Sequence, residues 1–395
     1  MSQNNILEVE NLNVRFYTYA GVVEALDSVN LTMRKGEILG LVGETGCGKS
    51  VTSLSVMRLV PPPGKIEGGN IYFVAGSNRH SVLKMDDGSL RKMRGKDISM
   101  IFQEPRAYLN PVYNVEDQIA EVLLEHRKEE FLKAAIETHR KKRLENLAKA
   151  KGAKAAADVE KIGKVSSTFE VNTYKKLARN PRSLAGRFLA KFSRQRYFKS
   201  EVRKEVVRIL KSVEIPDPER VARMYPHELS GGMAQRVVIA MALACNPTLL
   251  IADEPTTNLD VTVQAQILNL IKQLKKNLNS SILYITHDLG VVAQLCDRVA
   301  VMYAGNIIEM TDVFKIFDKP LHPYAQALLE SIPRPGQAFK SIRGLVPSMI
   351  NPPKGCRFND RCSYAMEICL KIKPPFFEAS KDHYVACHLY GEESK

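Results

Sequence analysis

The stretch "GETGCGKS" at residues 43–50 determines the fold that we expect. It matches the pattern G-x-x-x-x-G-K-[ST], follows the apolar run "EILGLV" at 37–42, and precedes a predicted helix over 49–60. Its glycines would let backbone N–H groups surround phosphate oxygens, Lys49 would reach the β- and γ-phosphates, and Ser50 would coordinate Mg²⁺. A chance glycine-rich turn is the alternative, but the strand before it and the helix after it favour a phosphate site.

Short apolar segments recur along the chain and alternate with helical patterns. This alternation predicts an α/β core with a largely parallel sheet, and the helix-free N-terminal residues predict an antiparallel part. The predicted strands of the parallel sheet are 37–42, 98–102, 248–253, 281–286 and 298–303, and the antiparallel part covers 6–35 and 66–74. Residues 112–225 interrupt the strand pattern and are predicted to be mostly helical.

Polar residues end or follow three of these strands. Asp253 and Glu254 end one strand, Gln103 follows a second, and His287 follows a third. Ligands of open α/β sheets gather at the carboxyl ends of the strands. Asp253 is therefore a candidate for holding Mg²⁺, and Glu254 for polarising an attacking water. A glutamine can orient water or metal, and a neutral imidazole can donate to a phosphate oxygen. Each residue alone is more often an ordinary loop residue, and only the phosphate loop makes the set informative.

A second glycine pair lies at "LSGGM", residues 229–233, just ahead of a predicted helix from Met233 to Ala244. The N-terminus of a helix suits an anion, because free N–H groups converge there and the helix dipole supplies about half a positive charge. The chain already has one complete phosphate loop, so this second site requires another explanation.

Together these segments resemble the ATP-binding cassette ATPases. The matching elements, in order, are 43–50, Gln103 in "IFQEP", 229–233, "LLIADE" at 249–254, "NLD" at 258–260 and His287 in "ITHD". The resemblance covers residues 6 to about 310. It implies the fold of a P-loop NTPase cassette: a RecA-like α/β core, an antiparallel β part and a helical subdomain, here followed by a small Cys-rich C-terminal region.

The resemblance also implies the roles of individual residues. Two cassettes would meet head to tail, so that Ser230, Gly231 and Gly232 hold the γ-phosphate of an ATP bound by the partner. Catalysis would involve Glu254, His287 and Gln103, and Mg²⁺ would be held by Ser50, Gln103 and Asp253. The remaining residues expected at the nucleotide are Gly43, Glu44, Thr45, Gly46, Cys47, Gly48, Lys49, Val51, Phe16 and Asp260.

Phe16 is the residue that the family would place against adenine. Tyr17 and Tyr19 lie close enough in sequence to compete for that role. A core contact of the first strand is the equally weighted alternative for Phe16.

Further segments narrow the resemblance to one branch of the family. Three segments look like the D-type ATP-binding subunits of oligopeptide and dipeptide importers. They are the sequence directly after the phosphate loop, "HPYAQALLESIP" at 322–333 and "GCRFNDRC" at 355–362. That branch implies an F-type ATPase as heterodimer partner, two integral-membrane permeases and, indirectly, an extracellular peptide-binding protein. The alternatives are a dipeptide or nickel importer, a soluble cassette ATPase acting on nucleic acid or ribosomes, and a non-catalytic subunit, which Glu254 disfavours.

Four of the seven cysteines lie close together near the C-terminus, with the spacing Cys356-x5-Cys362-x6-Cys369-x17-Cys387. In a reducing compartment clustered thiols suggest a metal more than disulfides. In the importer branch such cysteines hold a [4Fe-4S] cluster, and the missing C-x-x-C pairs slightly favour a cluster over zinc. Zinc and unligated thiols remain the alternatives.

The positive charge of the chain is concentrated in one segment. The net charge is +14, and residues 127–204 alone hold 23 Lys or Arg against 8 Asp or Glu. This basic insert could contact anionic lipid or nucleic acid, but a solvated helical elaboration is favoured, and no nucleic acid partner is expected.

We expect a nucleotide-binding domain over 1–310, with its helical subdomain at about 104–245, and a C-terminal domain over 311–395. Without a signal peptide or a long apolar run, the chain is expected at the cytoplasmic face of the membrane.

Overall fold

The computed structural model describes residues 4–76, 78–151, 186–257, 259–278, 280–332 and 342–390. It divides into two compact units, one formed by Met1–Tyr108 with Asn246–Lys395 and the other by Leu109–Cys245. Among the described residues, every helix is too short or too polar to cross a bilayer.

The first unit contains two sheets. Their strands are β1 (Asn5–Thr18), β2 (Gly21–Arg34), β3 (Ile38–Val42), β4 (Gly64–Ala75), β5 (Asn78–Ser81), β6 (Ile98–Ile101), β7 (Leu249–Asp253), β8 (Ser281–Thr286), β9 (Arg298–Tyr303), β10 (Asn306–Asp312), β11 (Phe377–Ser380) and β12 (His383–Val385). The larger sheet has the order β11-β12-β10-β9-β3-β8-β7-β6. From β9 to β6 all neighbours are parallel, which confirms the predicted parallel sheet.

Strands β3, β7, β8 and β9 consist entirely of buried residues. Such near-continuous apolar runs are typical of parallel strands that are covered on both faces. The antiparallel addition of β10, β12 and β11 at one edge was not predicted. It incorporates residues of the C-terminal region into the same sheet.

The smaller sheet is antiparallel, with the order β2-β1-β4-β5, and it confirms the predicted N-terminal β part. Its strands alternate buried and more exposed residues, as expected when one face packs on a core. Leu7, Leu12 and Leu31 from this sheet join Leu39 and Leu41 of β3 in one hydrophobic cluster.

The helices of the first unit are α1 (Lys49–Val56), α2 (Asp87–Met93), α3 (Pro105–Tyr108), α8 (Val261–Leu278), α9 (Leu289–Leu295), α10 (Val313–Asp318), α11 (Pro323–Glu330) and α12 (Glu367–Lys371). The predicted helix over 49–60 was too long. Helix α1 ends at Val56, and Arg58 adopts a positive φ of 50°. The prolines at 61–63 follow, and a proline disfavours helical backbone at the residue that precedes it.

The second unit contains α4 (Val115–Lys151), α5 (Gly186–Ser212), α6 (Pro218–Val221) and α7 (Gly231–Leu243). Helix α4 kinks at Arg127, which has φ −121° and ψ 15°. The Arg127 guanidinium lies 2.6 Å from a carboxylate oxygen of Glu130 and 2.7 Å from one of Glu205. The described parts of the basic insert are helical, and residues 152–185 lie outside the described residues.

Candidate nucleotide-binding site

The phosphate loop runs from the end of β3 to the start of α1 and packs tightly against the end of β9. A Cβ atom at Gly43 would lie 2.1 Å from the carbonyl oxygen of Met302, so only glycine fits there. Gly48 is the N-cap of α1 with a positive φ of 106°, and as a glycine it offers no side chain to cap the helix start. The first N–H groups of α1 are therefore left for another acceptor, as a phosphate site requires.

Lys49, at the first position of α1, is buried, and its ammonium lies inside the loop. Its Nζ donates to the carbonyl oxygens of Gly43 at 2.8 Å and Glu44 at 3.1 Å. Thr45 and Gly46 form the exposed tip of the loop, while Cys47 and Gly48 are buried beneath it. The positive charge thus lies within the loop that would contact the phosphates.

Asp253, the last residue of β7, points a carboxylate toward α1. Its Oδ2 accepts a hydrogen bond from Ser53 Oγ at 3.5 Å. Its Oδ1 is buried and has no hydrogen-bond partner among the described residues. Burial raises the pKa of Asp253, while a hydrogen bond from Ser50 opposes that rise. A buried carboxylate oxygen without a partner, next to a serine hydroxyl, fits the oxygen ligands that Mg²⁺ prefers.

Glu254 lies at the centre of a hydrogen-bonded group. Its Oε1 lies 3.1 Å from His287 Nδ1, and its Oε2 accepts from Gln103 Nε2 at 3.2 Å. Thr257 Oγ1 also donates to Oε2 at 2.9 Å. The structure therefore brings together all three residues proposed for catalysis. Thr257 was not predicted, although its place three residues after Glu254 could have suggested it.

Glu254 has both an unusual backbone conformation and a shifted pKa. Its φ of 46° lies in the left-handed region, which is rare for a non-glycine residue and is often found at functional sites. Burial tends to raise the pKa of this carboxyl, but the hydrogen bonds from His287 and Thr257 lower it overall. Glu254 is therefore ionised at neutral pH and held in one orientation.

Residues 26–257 match the family model described as ABC transporter, and residues 308–369 match the model described as oligopeptide/dipeptide transporter, C-terminal region.

The chain belongs to the ABC transporter family.

Its relatives in this family are similar over nearly their whole length. The oligopeptide transport ATP-binding protein OppD of Bacillus subtilis (strain 168) is 42% identical over 97% of this chain and 88% of that protein. The dipeptide transport ATP-binding protein DppD of the same organism is 40% identical over 99% and 96%. OppD of Escherichia coli (strain K12) is 39% identical over 98% and 94%.

Solved structures confirm the cassette fold. The dimeric structure of MJ0796, a bacterial ABC transporter cassette, covers 78% of this chain and 99% of its own chain with a TM-score of 0.53. Its sequence is 23% identical, so this likeness concerns the fold alone.

The segment 229–233 of this ABC transporter ATPase lies in the second unit. Ser230 caps α7, and its Oγ accepts from the N–H of Met233 at 3.3 Å. Helix α7 therefore begins at Gly231, two residues earlier than predicted, because the serine cap includes both glycines in the first turn. Ser230 and Gly231 are exposed and Gly232 is half-buried, so this helix start is accessible to a ligand.

Three further predicted site residues already have contacts within the protein. Asp260 caps α8, and its Oδ1 accepts from the N–H of Val263 at 2.9 Å. Phe16 is half-buried and packs against the hydrophobic cluster, whereas Tyr17 and Tyr19 are exposed. The packing of Phe16 agrees with the core contact that was its alternative, and its contact with adenine stays a prediction. Val51 also packs against that cluster.

The four C-terminal cysteines line one small cavity of about 10 Å³, together with His322 and His388. Burial raises the pKa of Cys356 to about 12 and that of Cys387 to about 11, so both thiols are protonated at neutral pH. No three His, Cys, Asp or Glu side chains of the described residues are arranged to hold a metal ion. The donor chemistry suits soft metals, but the thiols share a cavity without forming a ligand set.

Proposed function

We propose that this chain binds and hydrolyses ATP and thereby powers an importer of oligopeptides across the cell membrane. The observation that carries this proposal is the similarity to peptide transport ATP-binding proteins over almost the whole chain, which includes residues 308–369 after the cassette. The hydrogen-bonded group around Glu254 supports hydrolysis in addition to binding.

In this mechanism Glu254 accepts the proton of the attacking water. Its carboxylate is ionised, and His287, Gln103 and Thr257 fix both oxygens, so the base is oriented before the reaction. Lys49 and the N–H groups at the start of α1 bind the phosphates of ATP and neutralise charge on them. Positioning and charge neutralisation account for most of the catalysis in phosphoryl transfer.

Ser50, Asp253 and Gln103 are the residues that would hold Mg²⁺. The buried, partnerless Oδ1 of Asp253 supports this assignment. When bound, the ion neutralises charge on the phosphate oxygens. Asp253 provides a buried carboxylate for it.

The exposed start of α7 has a separate role in this proposal. Ser230, Gly231 and Gly232 bind the γ-phosphate of the ATP held by a second cassette, which would be an F-type subunit. ATP then joins the two cassettes, and its hydrolysis removes the γ-phosphate contacts and lets them separate. The accessibility of this helix start supports the role. Phe16 at adenine and Asp260 near the shared nucleotide belong to the same proposal.

The assembly would include two integral-membrane permeases, with this chain at their cytoplasmic face and a peptide-binding protein outside. We propose a nucleotide-binding domain over 1–310, with a helical subdomain at about 104–245, followed by the C-terminal domain over 311–395. The compact unit Leu109–Cys245 supports the helical subdomain.

Affinity purification of the chain from native membranes tests the function. The proposal expects two permeases and a second ATPase to copurify, and ATP turnover of the complex to respond to the peptide-loaded binding protein. Copurification with ribosomes or nucleic acid in place of permeases would contradict it.

Dipeptide import is the second candidate, since the dipeptide relative is 40% identical over 99% of this chain. Transport by the purified complex in liposomes, with dipeptides, longer peptides and nickel ions as competitors, separates these cargoes. The compound that competes at the lowest concentration identifies the cargo of the importer.

We further propose that Cys356, Cys362, Cys369 and Cys387 bind a [4Fe-4S] cluster with a structural role. Their shared cavity and their thiol chemistry support it, although binding requires the cavity to widen and the thiols to lose their protons. Protein purified without oxygen is expected to contain about four irons and four sulfides per chain, with broad visible absorbance.

Serine replacement of Cys356 and Cys362 is expected to remove iron and absorbance together. Replacing the buried Cys296, which lies outside the cluster sequence, by alanine should leave both unchanged. One zinc per chain in place of iron would assign the alternative metal, and metal-free protein would contradict the cluster proposal.

A further inference from the structure

The phosphate loop contains an acidic residue, Glu44, whose carboxylate is held by the C-terminal region. Arg361 Nη1 donates to Glu44 Oε2 at 2.7 Å and Arg361 Nη2 to Oε1 at 3.1 Å. This is the bidentate geometry that makes arginine–carboxylate pairs strong and directional. The Arg361 side chain is only 5% exposed, and Nη1 also donates to the hydroxyl of Tyr303 at 3.2 Å.

The backbone of the same residue is held as well. The N–H of Glu44 donates to the hydroxyl of Tyr324 at 3.0 Å, and Tyr324 is fully buried. The Tyr324 ring lies 4.5 Å from that of Tyr303 and 5.4 Å from that of Phe358, measured between centroids. Phe358 lines the four-cysteine cavity, and Arg361 directly precedes Cys362. Residues of the C-terminal region thus contact both the side chain and the main chain of one loop residue.

An unpaired carboxylate in this loop would oppose its function. Glu44 follows Gly43 directly, and its carbonyl oxygen lies 3.1 Å from Lys49 Nζ, the amine expected to bind phosphate. A free negative charge there would repel the phosphates and compete for Lys49, and like charges in a partly buried site interact strongly. A glycine-rich loop also loses much conformational freedom when it binds a ligand, unless it is held in place beforehand.

We propose that Arg361 is a positioning residue for the nucleotide: it neutralises Glu44 and, with Tyr324, keeps the phosphate loop in its binding shape. The C-terminal region then contributes to ATP binding, because it positions the phosphate loop of the cassette. This inference rests on the proposed function, because it assumes that the loop binds ATP.

The test is the Kd for ATP of the purified full-length chain, measured by titration at low and high salt. Arg361→Ala is expected to raise Kd about tenfold, or about 1.4 kcal/mol, since it exposes the Glu44 charge to the phosphates. Adding Glu44→Gln removes that charge, so the double variant should return to within about threefold of the wild-type Kd. Added salt should shrink the defect of Arg361→Ala, because it screens the repulsion.

Arg298→Ala is the matched control. Arg298 is equally buried and pairs with Glu37 at 3.2 Å, but it lies at the opposite end of β9 from Tyr303. It should lower the melting temperature without changing Kd. If Arg361→Ala also lowers the melting temperature while Kd stays at the wild-type value, or if Glu44→Gln fails to restore affinity, the positioning role is wrong. If the wild-type chain itself does not bind ATP, the proposed function fails first.

Discussion

Glu254→Gln is expected to lower the ATP turnover of the assembled transporter about a thousandfold, within the range usual for loss of a general base. The amide keeps the size of the side chain and can still contact Gln103 and His287, but it cannot accept a proton from water. ATP binding should remain close to normal, because Lys49 and the start of α1 are unchanged. The variant should therefore accumulate in the ATP-bound, closed form.

Turnover is measured as phosphate release by the transporter in liposomes, and binding as retained nucleotide after rapid desalting. Glu10→Gln on β1 is the control, since it changes a half-exposed carboxylate far from the loop in sequence. Turnover of Glu254→Gln within about threefold of wild type would remove Glu254 from the proton-accepting role and revive the non-catalytic interpretation.

Lys49→Met is expected to raise the Kd for ATP about a hundredfold, or about 2.7 kcal/mol, which is the loss expected for charged hydrogen bonds to phosphate. Methionine keeps the apolar stem that is buried beneath the loop but removes the ammonium. The measurement is a titration of the purified full-length chain with a fluorescent ATP analogue.

Lys92→Ala on α2 provides the comparison, because Lys92 is exposed and belongs to no part of the proposed site. It should bind ATP like the wild type. A Lys49→Met variant that keeps wild-type affinity and a wild-type melting temperature would show that the loop does not bind phosphate as proposed.

The sequence was most informative where local patterns determine the structure. The apolar runs at 37–42 and 281–286 predicted buried parallel strands, and β3 and β8 lie there as neighbours. Element ends were predicted less well. Ser230 accepts from the N–H of Met233, so α7 begins at Gly231, two residues earlier than predicted. The positive φ of Arg58 helps to end α1 early.

The site was predictable because its residues follow strands that turn out to be parallel neighbours. Gln103, Glu254 and His287 lie far apart in sequence, yet they meet because β6, β7 and β8 are adjacent and end at the same edge of the sheet. No local pattern could reveal the contacts of Glu44. They join residues 280 and 317 positions apart, and they depend on how the C-terminal region folds back onto the loop.

The central claim is that ATP lies between the phosphate loop of one cassette and residues 230–232 of the other. The most direct measurement is disulfide crosslinking in the assembled transporter, with Ser230→Cys in this chain and a cysteine in the phosphate loop of the partner ATPase. With ATP bound and turnover blocked by Glu254→Gln, a covalent pair of the two ATPases should form rapidly, and it should form much less with ADP. No crosslink with ATP, or a crosslink that is the same with either nucleotide, would contradict the account.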